Sequence, residues 1–305
     1  MNKLYIGVDL GGTNIAAGIV DADGNILHKK SVRTDLPKPE HVIENDIYTL
    51  CMELCKDRGY DLAKDISAIG IGTPGAVDGI RGIVWQNVNF GYTNWQIKTN
   101  LEKLFGNVPV YVENDANAAV IAEATAGSAK GKKDVLMITI GTGVGGGVYI
   151  NGSIYAGSNF AGLEVGHMVI QRNGRQCNCG RKGCFETYCS IKRLKNSLTE
   201  AMNISKQTDG RELIEMLRKN KDEKIQEILD EYINNLIIGL SNIIDVFEPQ
   251  AICLGGGFKY FEDILYKKFL DKYYNRKYAF NKDRLPDIKL AVLGNDAGII
   301  GATLI

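Results

Sequence analysis

Residues 166–186 read GHMVIQRNGRQCNCGRKGCFE and bring one imidazole, His167, and three thiols, Cys177, Cys179 and Cys184, close together in the chain. One His with three Cys thiolates makes a closed, four-coordinate zinc set with no open position for an activated water, so the cluster predicts a metal that holds shape. Carboxylates are the other candidates for chemistry. Asp9 ends an apolar run in VDLGGTN, and Asp115 ends another in VYVENDANAAV. A carboxylate delivered by a buried strand can hold a hard cation or accept a proton. Asn and Asp also accept backbone hydrogen bonds at helix starts, so Asn114-Asp115 predicts a cap, a base, or both roles in adjacent residues.

Glycine turns supply the third kind of chemistry. In VDLGGTN, Gly11 and Gly12 let backbone N–H groups approach a phosphate, with the Thr13 hydroxyl beside them. IGTGVGGG at 140–147 and LGGG at 254–257 repeat the device, and turns of this kind can surround one nucleotide. No GxxxxGK[ST] is present, and GTGVGG lies between two β-type runs instead of opening a long helix, which excludes the P-loop and Rossmann arrangements.

The elements that must position these residues follow from periodicity. Residues 4–27 read as strand, Gly-Gly-Thr turn, strand, Asp-Gly turn and strand, and residues 135–155 repeat the plan with Gly-Thr-Gly and Asn-Gly turns. This internal duplication predicts a two-lobed α/β protein with a cleft between similar halves. Helical periodicity is clear in 39–58 and in 224–249, where Ile225, Leu229, Tyr232, Leu236, Leu240, Ile243 and Phe247 form an apolar stripe and Pro249 follows the end. That stripe is expected in the core. A further helix is expected to start at Asn114-Asp115.

Composition narrows the partners. The 305 residues are 45% hydrophobic and 24% charged, with Lys+Arg and Asp+Glu both 36. With no block of like charge, neither nucleic acid nor a membrane surface is an expected partner, which leaves a small molecule. The first apolar run is too short for a signal segment or a membrane span, so a cytoplasmic location is expected. Seven cysteines in a reducing compartment favour metal ligation over disulfides for the close-set trio, while Cys51, Cys55 and Cys253 read as small core residues.

VDLGGTN, GIGTPGAVD, ENDANAA, TIGTGVGGGVYINGSIYAG, EVGH, CNCGRKGCFE and LGGG occur in this order over essentially the whole chain. In this the sequence resembles the ROK family of sugar kinases and repressors, within the actin-like ATPase (ribonuclease H-like) fold. The resemblance implies duplicated βββαβαβα units. It implies a small lobe over 1–116, rejoined by 294–305, and a larger lobe over 117–293 that carries the zinc loop 167–184. The implied activity is phosphorylation of a hexose by Mg-ATP, most simply glucose to glucose 6-phosphate, in a cytoplasmic enzyme that is a homodimer with a structural zinc.

Carried over residue by residue, the resemblance makes Asp115 the general base. It places Gly75, Asn89, Asn114, Glu164, His167 and Glu186 on the sugar, and Asp9 on magnesium. Gly11, Gly12, Thr13, Asn14, Gly141, Thr142 and Gly143 would line the phosphates, with Gly255 and Gly256 against the adenosine. His167 would then serve zinc through one ring nitrogen and the sugar through the other.

The sequence departs from the pattern at two positions. Leu163 stands where glucokinases of the family usually carry glycine, which opens D-allose, N-acetylmannosamine, N-acetylglucosamine or fructose as substrates. Ala76 lacks the arginine of some acetylamino-sugar kinases, which weighs against N-acetylmannosamine. Repressors of the family carry a helix-turn-helix ahead of the first strand, and only three residues precede Leu4 here, so turnover is expected rather than DNA binding. A non-enzymatic actin-like assembly or chaperone ATPase would have no use for the sugar-facing acids and the zinc loop.

Overall fold

A computed structural model describes residues 3–87, 89–106, 108–279 and 281–305, which divide into two compact units. The first comprises 1–133, 147–163 and 292–305, and the second 134–146 and 164–291.

The first unit begins with the expected meander: β1 (Leu4–Leu10), β2 (Asn14–Asp21) and β3 (Ile26–Arg33), each antiparallel to the one before. Helices α1 (Glu40–Arg58) and α2 (Leu62–Asp65) lead to β4 (Ile66–Thr73), which lies parallel to β1. A small sheet follows, made of β5 (Ala76–Asp78), β6 (Ile83–Asn87) and β7 (Tyr92–Trp95). Then come α3 (Ile97–Leu104), β8 (Val110–Asn114) and α4 (Asp115–Thr125). The main sheet has the order β3-β2-β1-β4-β8. Its core joins Ile6 and Val8 of β1, Ile69 and Ile71 of β4, and Val110 and Val112 of β8 to Ile43, Ile47 and Leu50 of α1. β1 and β4, inside the sheet, are buried along most of their length, as parallel strands covered on both sides must be, whereas β8 lies at the edge and exposes Tyr111.

The second five-stranded sheet repeats the plan. Its first strands are β9 (Val135–Ile140), β10 (Val144–Ile150) and the short β11 (Ser153–Ile154), and its last two follow a helical stretch. That stretch holds α5 (Glu186–Cys189), α6 (Ile191–Ala201), α7 (Gly210–Lys219) and α8 (Glu223–Phe247). Next come β12 (Ala251–Gly256), α9 (Lys267–Asn275), β13 (Asp287–Leu290) and α10 (Asp296–Ala302). The sheet order is β11-β10-β9-β12-β13, with β9, β12 and β13 parallel, and the division between the units falls inside β10. The two sheets therefore share one strand order, which is the duplication visible in the sequence.

The stripe of α8 is buried from Ile225 through Ile243, while Phe247 at its end is only half-buried. Asp222 caps the helix, its Oδ1 accepting from Lys224 N at 2.9 Å and Ile225 N at 3.3 Å. Cys51, Cys55 and Cys253 are buried, as is Cys189.

The first unit extends past residue 116 to residue 133 because α4 is tied to the C-terminal segment. Glu123 of α4 is fully buried; its Oε1 accepts from the N–H groups of Val292 (2.9 Å) and Leu293 (3.0 Å), and its Oε2 from Ser128 N and Oγ. A buried carboxylate satisfied by four donors is a fastener for that chain crossing. Among the described residues no helix is long and apolar enough to cross a membrane.

Candidate active site and metal centre

In the first unit the chemistry gathers where β1 and β8 end. Asp9 is the penultimate residue of β1, and its carboxyl is raised to about 6, first by burial and then by the neighbouring charge of Asp115. The Asp115 carboxyl is also raised, chiefly by burial. Two carboxylates that disfavour each other's charge in a partly desolvated place are the donor set a hard cation such as magnesium relieves. A Cβ on Gly298 of α10 would lie 2.6 Å from Asp9 Cγ, so the absent side chain leaves room for that carboxylate.

Asn114 caps α4: its Oδ1 accepts from Ala116 N at 2.9 Å and Asn117 N at 3.2 Å, and its Nδ2 donates to the Gly75 carbonyl at 3.0 Å. Asp115 is the first helical residue, with Oδ1 accepting from Ala116 N at 2.8 Å. Gly75 has φ 111°, and a side chain there would strike the Gln86 carbonyl oxygen, so only glycine lets this turn reach Asn114. Glu113, almost fully buried, accepts from Asn114 N at 2.8 Å and Asn117 Nδ2 at 2.9 Å and so fixes the start of α4 from beneath.

The Gly11–Asn14 turn is closed by Gly11 N donating to Asn14 O at 3.0 Å. It is pinned by Thr34, whose N–H reaches Thr13 O and whose hydroxyl reaches Gly11 O at 2.7 Å. Gly12, Thr13 and Asn14 face outward, and Asn89, exposed in the turn after β6, lies opposite Gly12. Within this unit the structure thus brings Asp9, Asn114, Asp115 and Gly75 together at the strand ends, with Asn89 beside the glycine turn.

In the second unit His167 Nδ1 lies 3.5 Å from Cys177 Sγ, and Cys179 Sγ lies 3.6 Å from Cys184 Sγ. The ligand atoms of all four residues fall within 4.8 Å of one another. Zinc–sulfur bonds of about 2.3 Å at a tetrahedral angle put two sulfurs roughly 3.8 Å apart, so the set fits one zinc. The other ring nitrogen, His167 Nε2, is 4.0 Å from Glu164 Oε2, which leaves that edge of the ring facing the exposed acid. Phe185, between Cys184 and Glu186, is fully buried against Gly239 in the middle of α8, where any larger residue would collide with its ring. That contact anchors the loop and accounts for a glycine inside a helix, a placement that otherwise costs about 1 kcal/mol.

Glu186 Oε2 accepts from Val144 N at 3.1 Å, which joins the end of the metal loop to the Gly141–Gly143 turn. The turn is closed by Gly141 N donating to Gly143 O at 2.9 Å, and Thr142 is exposed at its tip. Gly255 and Gly256 end β12. Leu163 takes a left-handed backbone, φ 69°, just before Glu164. A leucine is strained there and a glycine is not, so the departure at this position carries a structural cost.

Sequence reasoning did not find Glu113, Glu123, Cys189 or the cations Arg175, Lys192 and Arg193 near the second glycine turn. Glu113 alone carried a signal, since it directly precedes the Asn114-Asp115 pair.

Comparison with known proteins follows the same lines. The profile of the ROK family matches residues 5–305. A glucokinase of Halalkalibacterium halodurans is 32% identical over 98% of this chain and 94% of its own length. A xylose repressor of Bacillus spizizenii is 36% identical over 82% of this chain and 63% of its own length. The crystal structure of a ROK family glucokinase from Streptomyces griseus, in complex with glucose and AMPPNP, superposes with a TM-score of 0.77 at 31% identity, covering 98% of both chains.

Proposed function

The chain belongs to the ROK family, and from that premise we propose that it is a hexose kinase that phosphorylates glucose at its 6-hydroxyl with Mg-ATP. The observation that carries the reading is the start of α4. Asn114 caps the helix through Oδ1, the Asp115 carboxylate accepts a backbone N–H from Ala116 through Oδ1, and burial raises its pKa, the direction a general base needs.

In this reading Asp115 accepts the proton of the sugar hydroxyl as the oxygen attacks the γ-phosphorus. Asp9 holds magnesium, which when bound neutralises charge on the phosphate oxygens. Gly11, Gly12, Thr13 and Asn14, with Gly141, Thr142 and Gly143, offer backbone N–H groups and hydroxyls to the phosphates, and Gly255 and Gly256 lie against the adenosine. Gly75, Asn89, Asn114, Glu164, His167 and Glu186 recognise sugar hydroxyls. Zinc on His167, Cys177, Cys179 and Cys184 fixes the loop between Glu164 and Glu186 and takes no part in bond breaking. The reading includes a cytoplasmic homodimer.

Similarity to a xylose repressor supports a second reading, sugar sensing without turnover. A coupled ADP-release assay across aldohexoses, ketohexoses and N-acetylhexosamines separates the two. The kinase reading expects ADP release with glucose foremost. Sugar binding with no ADP release from any member of the panel would transfer the chain to the sensing class.

A further inference from the structure

We propose that a cavity of about 390 Å³ in the second unit, beside the Gly141–Gly143 turn, is a phosphate-recognition site whose cations are Arg175, Lys192 and Arg193. Thr142, Gly143 and Glu186 also line it. The proposal deepens the kinase reading and rests on it for the phosphate carriers, while the charge argument stands on the geometry alone.

Three cations face one carboxylate across this space. That carboxylate, Glu186, has Oε2 engaged by Val144 N. Arg175 is fixed in place: its guanidinium lies 4.4 Å above the Tyr188 ring, Nη1 donates to Thr187 O at 3.3 Å, and Nη2 is 3.5 Å from Glu231. Its pKa is lowered, first by burial and then by the positive charge of Arg193, so two guanidiniums bear on each other here. Lys192 and Arg193 are exposed, and among the described residues neither has a carboxylate partner.

Both also sit in the first turn of α6, an eleven-residue helix with no acidic residue in that turn. Cations at a helix N-terminus oppose the helix dipole, whereas an anion there is favoured. The arrangement is therefore electrostatically open, with a fixed arginine, two free cations and an adverse helix end converging on one space. Lys192 N also donates to Gly141 O at 3.3 Å, so the cationic turn is bound to the turn expected to meet phosphates. A phosphate group supplies the negative charge and the acceptor oxygens that such a set can engage.

Two carriers share that chemistry, the phosphate chain of the nucleotide and a phosphorylated sugar. Calorimetry on the full chain and on the double variant Lys192→Gln, Arg193→Gln distinguishes them, with ADP, glucose 6-phosphate, inorganic phosphate and uncharged glucose as probes. The residues changed are exposed, so folding is expected to persist, and an unchanged glucose affinity serves as the check. The site predicts that ADP or glucose 6-phosphate binds the variant about 10-fold or more weakly than the parent, and that the parent's affinity falls as salt is raised. Loss confined to ADP assigns the cavity to the nucleotide, and loss confined to glucose 6-phosphate assigns it to the phosphorylated sugar. Equal affinity of parent and variant for both, or no phosphate binding by the parent, overturns the proposal. Sugar-dependent ADP release by the parent would then leave the kinase reading standing by itself.

Discussion

At the end of β1, Asp9 stands opposite Gly72 of its parallel neighbour β4; at the end of β9, Thr139 stands opposite Gly255 of β12. The strand, the following glycine turn and the facing glycine recur in both sheets, and one residue differs in charge. At the first position the carboxylate is pushed up by burial and by Asp115. At the second a neutral hydroxyl lies against Gly145. A duplicated backbone thus supplies two glycine turns, but only one of them carries the charge that can hold a hard cation.

The largest effect expected from this difference is at Asp9. Asp9→Asn should lower Mg-ATP turnover by about 10³-fold or more, because the triphosphate loses its positioned counter-ion. Steady-state ADP release measures this, and activity within a few-fold of the parent would make the two turns equivalent and sink the assignment.

A smaller loss is expected from the metal loop, which acts through position. Metal analysis of the parent should find about one zinc per chain, and Cys184→Ser should remove it and lower turnover about 10²-fold through displaced Glu186 and His167. ADP affinity should survive in protein that remains folded. Variants without zinc that bind sugar as tightly as the parent would break the link between loop and substrate.

Much of this contrast was legible in the sequence because turns and clustered ligands are local. The Gly-Gly-Thr and Gly-Thr-Gly turns marked both meanders, and the spacing of His167 with Cys177, Cys179 and Cys184 marked the four-residue cluster whose ligand atoms the fold brings together. What stayed hidden depends on contacts between distant segments. Glu123 looks like any helical glutamate until Val292 and Leu293 donate to it. Arg175 and Arg193 approach each other only once the metal loop folds back on α6. The reach of the first unit to residue 133 was hidden likewise, since α4 finds its partner α10 at the end of the chain.

Thr139 sharpens the comparison from the other side. Thr139→Val should change turnover by no more than about threefold, or about 0.7 kcal/mol in the barrier, because no cation depends on it. A drop as large as that of Asp9→Asn would place a second metal contact at β9.

The smallest effect is on stability. Asp9 has a folded pKa of about 6 against 3.8 for the free group, so its ionisation disfavours the folded state. The penalty is full above pH 6, shrinks as pH falls, and is absent below the unfolded value. Without magnesium, Asp9→Asn should therefore raise Tm by about 2–4 °C at pH 7.5 and lose that gain toward pH 4, and magnesium should narrow the gap by stabilising the parent alone. A variant less stable than the parent at pH 7.5 without magnesium would mean that Asp9 is compensated within the fold.

The most direct measurement compares Asp115→Asn with the parent for glucose-dependent ADP release, alongside the glucose dissociation constant from calorimetry. The substitution keeps size and leaves the Asn114 cap in place, but it removes the proton acceptor. The account predicts turnover lower by about 10²- to 10⁴-fold with glucose affinity within a few-fold of the parent. Turnover close to that of the parent would contradict it and leave Asp115 as no more than the first residue of α4.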